Sequence, residues 1–177
     1  MTITLVRHSE VIEEYKGKYN GHIDISLSEN GKLQSKELAL KLNHIKFDKI
    51  YCSDLKRAKE TLNAFNFNIK PIFTDKLREK SWGIHEGMSF EEIEKGGIHY
   101  IDFEQWLSAL DGEDILIYKE RVRTYFYETI FKQKCENILV VTHAGVIKTL
   151  HAILNNLSLE EAFSMELDYS SYITLKV

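Results

Sequence analysis

Apolar and polar positions along the chain follow two rhythms. Short apolar runs, Ile3-Thr4-Leu5-Val6, Lys49-Ile50-Tyr51-Cys52 and Ile138-Leu139-Val140-Val141, read as strands, the last β-branched enough to be buried on both faces of a sheet. Pro71-Ile72-Phe73 reads as a shorter one. The tail from Tyr172 puts Ile173, Leu175 and Val177 on one face, the pattern of an edge strand with one solvated side.

Helical spacing fills the intervals. Ser28 is placed to cap a helix carrying Leu38, Leu42 and Ile45, and a second follows Asp54 with Leu55, Ala58, Leu62 and Phe65. Ser89 and Glu92 form a capping-box pattern, Phe103, Trp106, Leu107 and Leu110 make a half-buried stripe, and Gly112 breaks the chain. A further helix carries Val122, Tyr125, Phe126 and Thr129. After His143 another carries Val146, Ile147, Leu150 and Leu154, and Ser158 with Glu161 caps the last. Such alternation predicts an α/β fold, a mostly parallel central sheet with helices on both faces. Residues 89–131 hold no convincing strand and are expected to form a helical cap over the carboxyl ends of the strands, within a single domain spanning 1–177.

Composition narrows the function. With 177 residues and 44% of them hydrophobic, one full core forms without staples. Two cysteines, Cys52 and Cys135, are too few for a disulfide framework, which suits a reducing cytoplasm. Arg7 cuts the first apolar run and no long uncharged apolar stretch follows, so neither secretion nor membrane spanning is expected. A net charge of -4 argues against a nucleic-acid binder, whose footprint is a basic face. An acidic protein still holds a small anion in a local basic pocket.

Three predicted strands end in polar residues: Val6 leads into Arg7-His8, Cys52 into Ser53-Asp54, and Val141 into Thr142-His143-Ala144-Gly145. Ligands of open α/β sheets bind beyond the carboxyl ends of the strands. Arg57 lies in the first turn of the next helix, close to the same crevice. Ala144 and Gly145 open a helix whose bare N–H groups and dipole favour an anion. Two arginines, two histidines and a helix start suit a phosphate. Each histidine alone reads more readily as a hydrogen-bonded structural residue than as a catalyst. Arg7 is harder to dismiss, because a guanidinium after a buried strand needs an acidic partner or an anionic ligand.

These residues carry a family resemblance. Leu5-Val6-Arg7-His8-Ser9-Glu10 resembles the N-terminal signature of the histidine phosphatase superfamily, which includes cofactor-dependent phosphoglycerate mutases and many phosphatases. Asn20-Gly21 with Asp24, the Leu27 to Gly31 turn, Tyr51 to Ala58, Leu77-Arg78-Glu79 with Trp82-Gly83 and Glu86-Gly87, and Val140 to Val146 follow in the family's order. The resemblance implies a phosphoglycerate mutase-like fold and a phosphatase that needs neither metal nor cofactor. His8 is then the nucleophile that forms a phosphohistidine. Arg7, Arg57 and His143 clamp the phosphoryl oxygens, and Glu79 is the proton donor. Asn20, the Gly21 amide and Ser53 either touch the phosphate or serve only in turns. The compact chain resembles the small phosphatases of the family, including those acting on α-ribazole-5'-phosphate. The implied partner is a small-molecule phosphate monoester, and monomer and homodimer stay open.

The sequence departs from the family pattern at three points that bear on the site. Ser9 replaces a usual Gly, Val11 a common Thr, and Glu14 stands where many members place a phosphate-binding Asn, so Glu14 must turn outward or the loop binds differently. Tyr100, Phe103, Trp106, Tyr118 and Tyr125 either pack the cap or face the crevice, where they favour a larger, partly apolar leaving group. Three other functions stay open: mutase-type phosphotransfer, a non-catalytic phosphate-binding module, and a metal hydrolase using His8 and His143.

Overall fold

The computed structural model describes all 177 residues. Five strands, β1 (Thr2–Arg7), β2 (Lys49–Ser53), β3 (Ile72–Thr74), β4 (Asn137–Thr142) and β5 (Tyr172–Lys176), form one sheet in the order β3-β2-β4-β1-β5. All pairings are parallel except β5 with β1, so the tail strand is an antiparallel edge.

Period-two alternation sends neighbouring residues of each strand to opposite cores. Ile3, Leu5, Tyr51, Ile138 and Val140 face one way, while Val6, Ile50, Cys52, Leu139 and Val141 face the other. The second face is covered by α1 (Glu29–Leu42) and α2 (Lys56–Leu62), through Leu38, Leu42, Ala58 and Leu62. The Ser28 hydroxyl caps α1 by accepting from the Gly31 amide, and Asp24 accepts from the Lys56 amide at the start of α2. Ile45 and Phe65 lie just past the ends of these helices and pack against the same core.

The first face is covered by α5 (Ile115–Tyr125) and α6 (Ala144–Asn155). A π-helical turn, Phe126–Ile130, extends α5. Tyr118, Val122, Phe126 and Ile130 recur every fourth residue and are buried in that core. The expected cap therefore divides at Gly112. Only α3 (Phe90–Lys95) and α4 (Phe103–Ala109) stand apart, joined by Trp82, Ile93, Trp106, Leu107 and Leu110 into a small cluster of their own. Gly112 adopts φ +93°, and a Cβ there would lie 2.4 Å from the Ser81 carbonyl oxygen, so no other residue makes this break cheaply. The last helix, α7 (Leu159–Phe163), has the capping box of Ser158 and Glu161. No helix is long and apolar enough to cross a membrane.

Candidate active site

Strands β1 and β4 are neighbours, with Arg7 registered opposite Thr142, so the residues that follow them meet. The His8 and His143 rings stand edge to face, centroids 5.1 Å apart. His8 Nδ1 lies 2.8 Å from the Ser9 carbonyl oxygen. A carbonyl only accepts, so Nδ1 carries the proton and Nε2 keeps its lone pair, with no partner in the protein. His143 is the opposite tautomer. Arg57 Nε–H donates to its Nδ1 at 3.2 Å, and its Nε2–H donates to Ser53 Oγ at 2.8 Å. Burial first, then the charge of Arg57, holds both imidazoles well below the ordinary histidine pKa, so both are neutral.

Arg57 is 1% exposed and donates to the carbonyls of Ile23, Asn20 and Gly21 at 2.9, 3.0 and 2.7 Å. Burial pulls its pKa to about 10, which leaves it cationic at neutral pH. Arg7 donates to the Leu167 carbonyl, lies 4.0 Å over the Tyr169 ring, and has a buried Nε without a protein partner. Ser9 fits because φ is positive at no non-glycine residue except Asn156 and Ser170. Its hydroxyl bonds those of Ser35 and Ser170, pinning the Tyr169-Ser170 turn to the His8 loop.

Glu79 arrives from β3 through a short 3-10 turn. Its Oε1 accepts from the Tyr118 hydroxyl at 2.8 Å and the Lys80 amide at 3.0 Å, and its Oε2 from the Gly145 amide at 2.8 Å. A Cβ at Gly145 would sit 2.1 Å from Glu79 Oε1, so any larger residue there displaces the carboxylate from this position. Arg121, held by Glu113 at 2.8 and 2.7 Å, donates to the carbonyls of Lys76, Arg78 and Glu79 and fixes the whole segment. Arg78 pairs with Asp54 at 2.7 and 2.6 Å.

A pocket of about 200 Å³ opens over these groups. Of the residues singled out from sequence, Arg7, His8, Asn20, Glu79, Ala144 and Gly145 line it. Arg57, His143, Ser53 and Gly21 lie behind that wall. A buried guanidinium must satisfy its donors, and Arg57 does so on loop carbonyls. The Gly21 amide goes to Glu86, whose carboxylate also accepts from the amides of His22, Ile23 and Trp82. The Gly145 amide is taken by Glu79, and the Asn20 side-chain N–H₂ by the Tyr15 carbonyl at 2.5 Å. Glu14 is exposed on the 3-10 turn Glu13–Tyr15 and does not line the pocket. None of the five cap aromatics named above lines it either, although Tyr118 reaches Glu79 from the core.

Sequence reasoning missed Lys18, Tyr19, Lys148, Phe163 and Tyr169, which complete the walls with Trp82. Lys148 was legible in principle, four residues after Ala144 on one helical face; Tyr169 carries no local signal.

A mostly parallel sheet with a neutral, half-free imidazole beside a guanidinium and a carboxyl group at its strand ends defines an α/β enzyme that handles phosphate. The model of the histidine phosphatase superfamily, branch 1, matches residues 3–177, so the chain belongs to that family and is a phosphatase. It is 31% identical over 180 residues to phosphoserine phosphatase 1 of Hydrogenobacter thermophilus, covering 96% of this chain and 83% of that one. To the adenosylcobalamin/alpha-ribazole phosphatase of Salmonella typhimurium it is 29% identical over 161 residues, 87% of this chain and 79% of the other. The crystal structure of the alpha-ribazole phosphatase from Shigella flexneri superposes with a TM-score of 0.88 at 24% identity, covering 100% and 91% of the two chains, and so shares the fold.

Proposed function

We propose that the chain is a metal-independent phosphomonoesterase that acts on a small phosphorylated metabolite through a phosphohistidine on His8. The carrying observation is the tautomer of His8: Nδ1–H is held by the Ser9 carbonyl, and Nε2 is unprotonated in the ring that lines the pocket. Nε2 attacks phosphorus and an N–P bond forms while the ester P–O bond breaks. Glu79 in its acid form gives its proton to the leaving oxygen. Its carboxylate then takes a proton from the water that attacks phosphorus, the N–P bond breaks, and phosphate leaves with His8 restored.

Charge on the phosphoryl oxygens is met by the Arg7 guanidinium, which lines the pocket beside His8. Arg57 supports from behind: its charge disfavours imidazolium on His8, and its hydrogen bonds hold His143 and the Asn20 to Ile23 loop. His143 in turn packs its ring against His8. With both of its nitrogens engaged, it has no lone pair to share with His8 in a metal site.

Among the substrates that relatives' names offer, α-ribazole-5'-phosphate is supported by those likenesses and by the aromatic walls Tyr19, Trp82, Phe163 and Tyr169. A pocket of about 200 Å³, below the roughly 300 to 1,000 Å³ typical of ligand sites, favours a smaller ester of the phosphoserine kind. Phosphate release from a monoester panel, measured with chelator present, is the test. Wild type should release phosphate and form an acid-labile phosphoenzyme, and His8→Ala should lose both, with turnover down at least about 10³-fold. Retention of turnover by His8→Ala, or dependence on an added divalent ion, defeats the proposal.

A further inference from the structure

Lys148 sits one turn along α6 from Ala144, and both line the pocket. Its half-buried ammonium donates to the Phe163 carbonyl at 2.9 Å and lies 5.7 Å from the centre of the Phe163 ring. No carboxylate stands within 4.0 Å of it, and none within that distance of Arg7. Glu79 is the one carboxylate lining the pocket, and its oxygens already accept three hydrogen bonds. A third cation, Lys18, also lines the pocket, its ammonium 3.8 Å from Glu92. The walls therefore carry more positive than negative charge.

A phosphoryl group next to His8 answers Arg7, whose guanidinium packs on Tyr169. Lys148 is anchored elsewhere, against the end of α7 at Phe163, and keeps two N–H donors beyond the one given to that carbonyl. Burial and the like charge of Arg7 both make its ammonium costly, as its lowered pKa records. A second anion beside the phosphate relieves that cost.

We propose that Lys148 determines specificity by binding a carboxylate on the leaving group of the substrate, with Lys18 adding to the same attraction. The inference rests on the phosphomonoesterase reading above and deepens it: the preferred substrate is a phosphorylated acid rather than an ester of a neutral alcohol.

The matched probes are 3-phosphoglycerate and glycerol 3-phosphate, which differ by a carboxylate in place of a hydroxymethyl group. Wild type should favour the acid by about 10-fold or more in kcat/KM, the scale of one charge-assisted hydrogen bond. Lys148→Met should bring the ratio to within about twofold of unity and Lys148→Arg should restore most of it, with melting temperature reporting that each variant is folded. A wild-type ratio near one overturns the proposal. So does a Lys148→Met variant that loses both substrates in proportion, which would put Lys148 on the phosphoryl group. Hydrolysis of para-nitrophenyl phosphate separates the two levels. If it proceeds while the acid is no faster than the alcohol, only the specificity proposal fails. If no monoester is hydrolysed, the phosphomonoesterase reading fails and takes this one with it.

Discussion

His8 and His143 carry the same ring in opposite tautomers because one meets a carbonyl and the other a guanidinium N–H. Both are harder to protonate in the folded chain than in the unfolded one, burial being the larger cause. The unfolded chain is then the stronger proton binder in acid. Stability from these two groups is complete above the ordinary histidine pKa near 6.5. It falls as pH drops below that value, by up to about 1.4 kcal/mol per histidine per pH unit, until the folded pKa is reached. Thermal melts between about pH 7.5 and pH 5 should show Tm declining in this direction, and His8→Asn should flatten part of the slope. An unchanged slope in that variant would exclude His8 as a contributor. Catalysis should behave differently, since an imidazole already neutral in mild acid does not set the acid limb of the rate profile.

At the scale of elements, α5 does more than cover the sheet. Tyr118 donates to the Glu79 carboxylate and Arg121 holds the backbone around it, so one helix both packs the core and positions the proposed proton donor. Burial keeps the Tyr118 phenol far above its ordinary pKa, so it remains a donor. Tyr118→Phe should therefore lower kcat by about 10- to 100-fold, the worth of a hydrogen bond to a charged group, with KM within about twofold of wild type. A drop in stability with kcat unchanged would make Tyr118 a packing residue only. The same helix shows where sequence reading stops. The strands, the Ser28, Ser89 and Ser158 caps and the Arg7-His8 and His143 junctions were legible because each depends on neighbours in the chain. The stripe of Val122, Tyr125 and Phe126 announced a helix, but not the layer it joins. Likewise the blocks that place Arg57, Gly21 and Gly145 near the strand ends did not reveal how their hydrogen bonds are spent. Glu86 and Glu79 decide that for the two glycine amides from 65 and 66 residues away, and the Asn20, Gly21 and Ile23 carbonyls decide it for Arg57.

Across the whole molecule, stability is unevenly distributed. Clusters of 14 and 10 buried residues hold the two sheet faces, whereas α3 and α4 dock through a cluster of five. Amides of α3 and α4 should accordingly exchange with solvent by local opening well before those of β1 and β4, as hydrogen exchange followed by mass spectrometry would show. Equal protection in both regions would mean that cap and sheet open as one unit. The two kinds of wall in the pocket have a further consequence. The proposed nucleophile, the proposed proton donor and Arg57 are each held by hydrogen bonds to their own neighbours, whereas Lys18, Trp82, Lys148 and Phe163 come from separate segments of the chain and hold none of the three. Change among the latter leaves the reacting groups in place. A scaffold so divided can thus exchange one metabolite for another in a few single substitutions, while a change at Arg57 or Gly145 reaches His143 or Glu79 directly.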